Sequence, residues 1–256
     1  MTFRRNCTRR DRGKALAPTR RAAFTLIELL VVIAIIAVLA GLTMSGVMRV
    51  YATLDEANNR NGITQLDVAL KQLVMKYGPP PDMMRLGERE GDCDPVTRNY
   101  LAKMFPNITR NGIWQSGIDW NRNGAIDGPV TLNDGQTLFF LLAGFQNQGF
   151  VFKTNNPVAG TGAVPEWKDS QIDRSSPYWR YTDIYGTPIR FVSSLSYSPA
   201  KGAYYSATGV PFNPKTFQII SAGRDRQFGP GGPVPTSGPG ADNQTNFTPG
   251  LLRGAR

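Results

Sequence analysis

No histidine occurs among the 256 residues. That absence removes the Ser-His-Asp and Cys-His triads, the HExxH zinc site and the imidazole general base together. Cysteine is nearly missing. Cys7 and Cys93 stand far apart, so no zinc ribbon, CxxC redox motif or disulfide framework can be written. There is no Walker-type phosphate loop and no GxGxxG after a strand. Acidic residues are scarce at one end only. Residues 1–23 hold Arg4, Arg5, Arg9, Arg10, Arg12, Lys14, Arg20 and Arg21 against Asp11 alone, a net +7 out of the chain's +10. The remaining +3 gives the body no strong reason to bind polyanions, and nucleic acid is not an expected partner. What is present suffices for a packed core. With 41% hydrophobic and 19% charged residues, the chain is long enough for one substantial domain plus an extra element, or two small domains.

The basic end runs directly into apolar sequence. After Phe24-Thr25-Leu26-Ile27-Glu28, residues 29–42 contain no charged or hydroxyl side chain, and the next charge is Arg49. Residues 29–48 as a helix span roughly 30 Å, the hydrocarbon thickness of a bilayer. The positive-inside rule assigns residues 1–23 to the cytoplasm and the chain beyond residue 48 to the other side. A secretory signal, a plain anchor and a buried core helix are the simpler readings. Glu28 argues against the first two, because an acidic residue at mid-helix costs about 2.5–3.5 kcal/mol in insertion scales, less toward the ends. Such a carboxylate needs a partner, and no cation follows before Arg49.

Ala23-Phe24-Thr25-Leu26-Ile27-Glu28-Leu29-Leu30-Val31-Val32-Ile33 resembles the cleavage and methylation motif of type IV prepilins and type II secretion pseudopilins. The resemblance implies cleavage by a prepilin peptidase between Ala23 and Phe24, N-methylation of Phe24, and a filament-assembly role for Glu28. Ala23 stands where the family usually has glycine, and Ser45 where many members have a kinking proline. The physics is self-contained: the cut creates an α-amine beside hydrocarbon, and a neighbouring subunit's Glu28 can neutralise it. That pairing is head-to-tail and therefore propagates as a filament. Ala37, Gly41 and Ser45 add a small-residue seam for close helix contact, a spacing also common by chance.

Beyond the membrane the helical period continues through Val50, Leu54, Ala57, Ile63, Leu66, Ala69 or Leu70, Leu73 and Tyr77, and Gly78-Pro79-Pro80-Pro81 stops it. A short helix is expected over 97–105 and another over 133–147, capped by Asn133 or Asp134. Strands are expected over 189–192, 203–206 and 217–221. The stretch ending at Tyr77 and the prolines, Asp183-Ile184-Tyr185-Gly186-Thr187-Pro188, and Ile220-Ser221-Ala222-Gly223-Arg224-Asp225 are similar to segments of major pseudopilins. The fold class is therefore α+β and pilin-like: a long N-terminal transmembrane helix packed on a small C-terminal antiparallel sheet, with a large irregular insertion between. The expected organisation is a leader over 1–23, a transmembrane half-helix over 24–48, a periplasmic half over 49–78, and a periplasmic head over 79–256. Within the head, about 82–180 reads as insertion and 229–256 as a Gly/Pro-rich loop or tail.

Asp119, Asn121, Asn123 and Asp127 fall at positions 1, 3, 5 and 9 of an EF-hand-like loop with Gly124 at 6. Val130 occupies position 12, so a bidentate ligand would come from elsewhere, with Asp134 one choice. The alternative is that Asn, Asp and Gly simply build turns. The resemblance implies a second calcium candidate in the loop after the last strand, where Asp225 and Asp242 (or Asn243) offer oxygens and Arg224 and Arg226 compete for Asp225. The four tryptophans and the tyrosines over 178–205 are expected in packing, Cys93 as a free buried thiol, and the pairs Glu88/Glu90 and Asp92/Asp94 as a solvated loop. No catalytic residue is expected. The functional expectation is a structural subunit of a pseudopilus or pilus-like filament at the bacterial inner membrane. Its partners would be like subunits, other pseudopilins, the prepilin peptidase and an inner-membrane assembly platform; calcium is a possible cofactor. The alternative is a single-pass, membrane-anchored surface binding protein or hydrolase that does not polymerise.

Overall fold

The unbroken apolar run and the three- and four-residue periodicity after it produce one helix, α1, Leu26–Tyr77. A computed structural model gives the positions of residues 24–106, 114, 117–120, 125, 128–144 and 168–254. The leader with Ala23, and Asn121, Asn123, Asp127, Trp167 and residues 145–147, lie outside those described. The chain divides into two compact units, Met1–Val50 and Tyr51–Arg256. α1 continues through Ser45 without interruption. It stops at Gly78, which takes the left-handed φ of +86° that glycine tolerates, and three prolines then deny the backbone further helical N–H groups.

In the second unit, β1 (Met84–Leu86) pairs antiparallel with β2 (Val130–Leu132). Between them α2 (Pro95–Met104) begins two residues earlier than the expected 97–105. Asp94 caps it by accepting from the Val96 and Thr97 amides, and Pro95 sits in the first turn, where no N–H is needed. α3 (Asp134–Ala143) follows, with Asn133 and Gln136 forming a full capping box. β3 (Ile172–Asp173) and β4 (Arg180–Tyr181) make a short antiparallel pair. The principal sheet contains β5 (Arg190–Ser193), β7 (Phe217–Ser221) and β9 (Gln244–Thr245), all antiparallel in the order β5-β7-β9. A separate two-residue pair, β6 (Tyr204–Tyr205) with β8 (Gly232–Pro233), is parallel. The architecture is thus the expected α+β one: a long apolar N-terminal helix plus small antiparallel sheets.

Strand periodicity explains how β5 and β7 bury both faces. Phe191, Phe217 and Ile219 enter the main core with Ile63, Leu66, Leu70 and Leu73 of α1 and with α3. Val192 and Ile220 join a second cluster with Ala203, Tyr204 and Leu252. Residues from 229 onward, expected as a loop or flexible tail, supply β8, β9 and Leu252. Their burial follows from the need to cover the second face of β7. Gln218, wholly buried, substitutes its side-chain amide for a strand: Oε1 accepts from the Tyr204 amide, and Nε2 donates to the Tyr204 carbonyl at 2.8 Å.

Only the later part of α1 carries the buried face. Val50 and Leu54, expected on that face, are exposed, and burial begins at Asn59. Asn59 is 2% exposed. Its Nδ2 donates to Ser221 Oγ (2.8 Å) and Gln244 Oε1 (2.7 Å), and its Oδ1 accepts from the Ile184 amide. Ser221 Oγ donates in turn to Asp183 Oδ2 (2.8 Å), and Asp183 Oδ1 accepts from the Tyr185 and Thr187 amides. Two turns further along α1, Asp67 accepts from Asn246 Nδ2 at 2.7 Å while pairing with Lys71. Two polar ties therefore bracket Ile63 and Leu66 and fix α1 to the central and last strands of the sheet. Burial pushes the Asp183 carboxyl above its ordinary value despite the bonds it accepts from Ser221, Thr187 and Tyr185.

Asp173 behaves oppositely. The Ser175 amide, followed by Arg180 Nε at 2.8 Å, holds its carboxyl down at about 2. Its folded value lies below the unfolded value near 3.9, so its contribution is present above about pH 3.9 and is lost as pH falls through about 2. Asp173→Asn should lower Tm at pH 6 by at most about 2–4 °C, and the gap from wild type should close at pH 2. Thermal melts at the two pH values measure this; a gap that persists at pH 2 would show that the contribution is not ionic.

Candidate functional site

Helix α1 opens with a Thr-x-x-Glu sequence, and the geometry is that of a capping box. Thr25 Oγ1 accepts from the Glu28 amide (3.3 Å), while Glu28 Oε2 accepts from the Thr25 amide (2.9 Å) and from Thr25 Oγ1–H (2.8 Å). Glu28 therefore has a partner within its own chain. Thr-x-x-Glu before an apolar run is the sequence signal for this partner, which a count of cations does not contain. The cap satisfies helix-start donors that have no partner within the helix. Further along, Thr43 returns its hydroxyl to the Leu39 and Ala40 carbonyls, so the one described hydroxyl between residues 29 and 44 adds no unpaired donor.

The surface at this cap and along the helix beyond it is apolar: Phe24 is 77% exposed, Leu26 81% and, further along, Leu42 70%. α1 is long and apolar enough to cross a membrane, and its most apolar window has no burial within the protein. Thr25→Ala should weaken the cap by about 1 kcal/mol while leaving the carboxylate in place. Circular dichroism in detergent micelles should show fraying confined to the first turn. Loss of helix well beyond that turn would contradict it.

The metal candidates are arranged unequally. Asp225 and Asp242 do meet: the Asp225 amide donates to Asp242 Oδ2 at 3.1 Å, and Asp225 Oδ1 accepts from the Gln227 amide. Asp242 Oδ1 is buried and without a hydrogen-bond partner. Gly223 permits this approach, since a Cβ there would lie 2.5 Å from the Asp242 carbonyl oxygen, and its φ is +75°. Arg224 and Arg226 form no ion pair with Asp225 among the described residues. Asp119 is described while its companions Asn121, Asn123 and Asp127 are not. Asp134 heads α3 and accepts from the Phe191 amide. Among the described residues no group of three or more Cys, Asp or Glu gathers in the manner of a metal site.

The acidic stretch expected as a solvated loop is partly built in. Glu88 is 3% exposed and Asp94 is the α2 cap, because the chain here closes over β1. Cys93 is a free buried thiol, held against Gly87. Desolvation pushes that thiol up, away from reactivity. Trp114 and Trp120 are core residues, and Trp179 packs against the core, its ring beside Phe139.

A family model described as the prokaryotic N-terminal methylation motif matches residues 18–44. No curated protein and no solved structure matches the chain. The matched segment contains the helix start, the Thr25–Glu28 cap and most of the exposed apolar run. The motif implies processing by a prepilin peptidase and assembly with pilin-like subunits, and with α1 it is consistent with membrane anchoring. Together they support a type IV pilin-like protein, a processed structural subunit in character.

Proposed function

We propose that this chain is the precursor of a filament subunit, cut between Ala23 and Phe24, methylated on Phe24 and polymerised through α1 as a pseudopilus of type II secretion or a type IV pilus-like fibre. The observation that carries this reading is the methylation motif lying on an unburied apolar helix with a carboxylate at its start. The cut leaves an α-amine on Phe24. In a stack of helices, Glu28 of one copy neutralises the amine of the next, so neither charge stays alone beside hydrocarbon. The head, beyond the membrane on the periplasmic side, does mechanical work with no catalysis of its own. The assembly platform acts on the mature helix. Expression with and without a prepilin peptidase tests the cut: the leader should be lost only with the peptidase, and Ala23→Lys should block the loss. Peptidase-independent retention of the leader would favour the anchored binding protein or hydrolase.

Calcium belongs to the same reading. Asp225 and Asp242 would hold it, and the orphaned Asp242 Oδ1 supports a cation there; Asp119, Asn121, Asn123 and Asp127 form the second candidate. Calcium at about a hundred times its Kd should stabilise the head by about 2.7 kcal/mol over chelator. Asp242→Ala should remove that gain if the first loop binds. Equal Tm in calcium and chelator would eliminate both loops.

A further inference from the structure

We propose that Thr25 is a positioning residue for the proteolytic cut: its hydroxyl ends α1 just short of the bond between Ala23 and Phe24 and keeps that bond out of the helix. The inference rests on the reading that this bond is the one cut. Phe24 and Thr25 lie outside the helix, which begins at Leu26. The Thr25 carbonyl accepts from the Leu29 amide at 3.2 Å, which makes Thr25 the N-cap and Glu28 the third helical residue. Thr25 Oγ1 takes the Glu28 amide, and Glu28 Oε2 takes the Thr25 amide. A helix started one residue earlier would instead give the Glu28 amide to the Phe24 carbonyl. Started two residues earlier, it would give the Ile27 amide to the Ala23 carbonyl, which belongs to the bond to be cut. A peptidase stabilises the charge developing on that oxygen with donors of its own. A carbonyl already tied into a helix must first be released.

The sequence before the cap makes such a stop necessary. Arg20, Arg21, Ala22 and Ala23 are all strong helix formers, and no glycine or proline stands between Pro18 and Gly41. Propensity therefore favours running α1 back across the cut bond, and the Thr25 hydroxyl opposes it. Without that hydroxyl the helix start is no longer fixed, and conformers that include the bond become populated. The hydroxyl half of the box decides the stop, because it occupies the Glu28 amide. A chain lacking the Glu28 carboxylate keeps that bond, so its leader is still removed.

The test uses the full precursor in detergent micelles with a limiting amount of prepilin peptidase, and reads the initial rate of leader loss. Thr25→Ala should be cut about fivefold more slowly than wild type, the effect of one lost cap. Thr25→Ser and Thr25→Asn, which differ in shape but both cap well, should be cut within about twofold of wild type. In an Ala23→Gly background the Thr25→Ala penalty should shrink below about twofold, because glycine itself disfavours helix at the cut bond. Three results would each overturn the proposal: Thr25→Ala cut as fast as wild type, Ser or Asn as slow as Ala, or a penalty unchanged by Ala23→Gly. The last two would mean that the peptidase reads the Thr25 side chain directly. If the wild-type chain is not cut at all, the processing reading falls as well; a cut wild type with a flat Thr25 series overturns this inference alone.

Discussion

Glu28→Ala is expected to give a subunit that folds, inserts and loses its leader, yet does not assemble. The cut amine of a neighbouring copy would then sit beside hydrocarbon with no counter-charge. Breaking a buried ion pair from one side costs about 3–5 kcal/mol, which lowers subunit affinity by more than roughly a hundredfold. The capping box supplies the control. Glu28→Ala removes both the charge and half of the cap, whereas Thr25→Ala removes the hydroxyl's half of the cap and keeps the charge and its bond from the residue-25 amide. If the charge matters, Thr25→Ala assembles within about tenfold of wild type, consistent with about 1 kcal/mol of capping. Electron microscopy of sheared material and crosslinking in membranes measure assembly. Equal assembly of Glu28→Ala and wild type would show that the ion pair is not needed, and assembly of neither would favour the anchor. Equal loss in both variants would make the helix start, rather than the ion pair, the determinant.

Asn59→Ala should produce the largest loss of head stability. It leaves Gln244 Oε1 and the Ile184 amide without their Asn59 bonds and removes one from Ser221. Orphaned buried groups cost about 1–3 kcal/mol each. A total near 3 kcal/mol is expected for the stranded groups, since Ser221 keeps its bond to Asp183, and for a domain of this size that lowers Tm by about 6–12 °C. Asn59→Leu should not rescue it, because filling volume does nothing for the stranded Gln244 acceptor and Ile184 donor. Combining Asn59→Ala with Gln244→Ala should cost less than the sum of the two single changes. A Tm within about 2 °C of wild type would show that α1 is held by its apolar face alone.

The elements written in local chemistry were readable beforehand. α1 and its stop at Gly78 and the prolines, the Asn133 cap, and β7 over 217–221 follow from period, capping residues and β-branched runs. What escaped depended on distant partners. Nothing in the residues around Asn59 marks it as buried, and only Ser221, Gln244 and Ile184, each more than a hundred positions away, make it a core residue. Residues 229–252 read as tail because Gly and Pro break every local pattern, yet the uncovered face of β7 draws them in. Val50 and Leu54 read as core because period alone does not say what a face meets. At the helix start the Thr25–Glu28 cap is local and written in Thr-x-x-Glu, beside an apolar run that makes the carboxylate's charge its more conspicuous property.

The most direct measurement is the mass of the N-terminal peptide from the protein purified out of membranes of cells that hold a prepilin peptidase. The account requires that peptide to begin at Phe24 and to be one methyl group heavier than its sequence. A peptide that still starts at Met1 with the arginines attached, or one that begins at Phe24 without the methyl group, contradicts it.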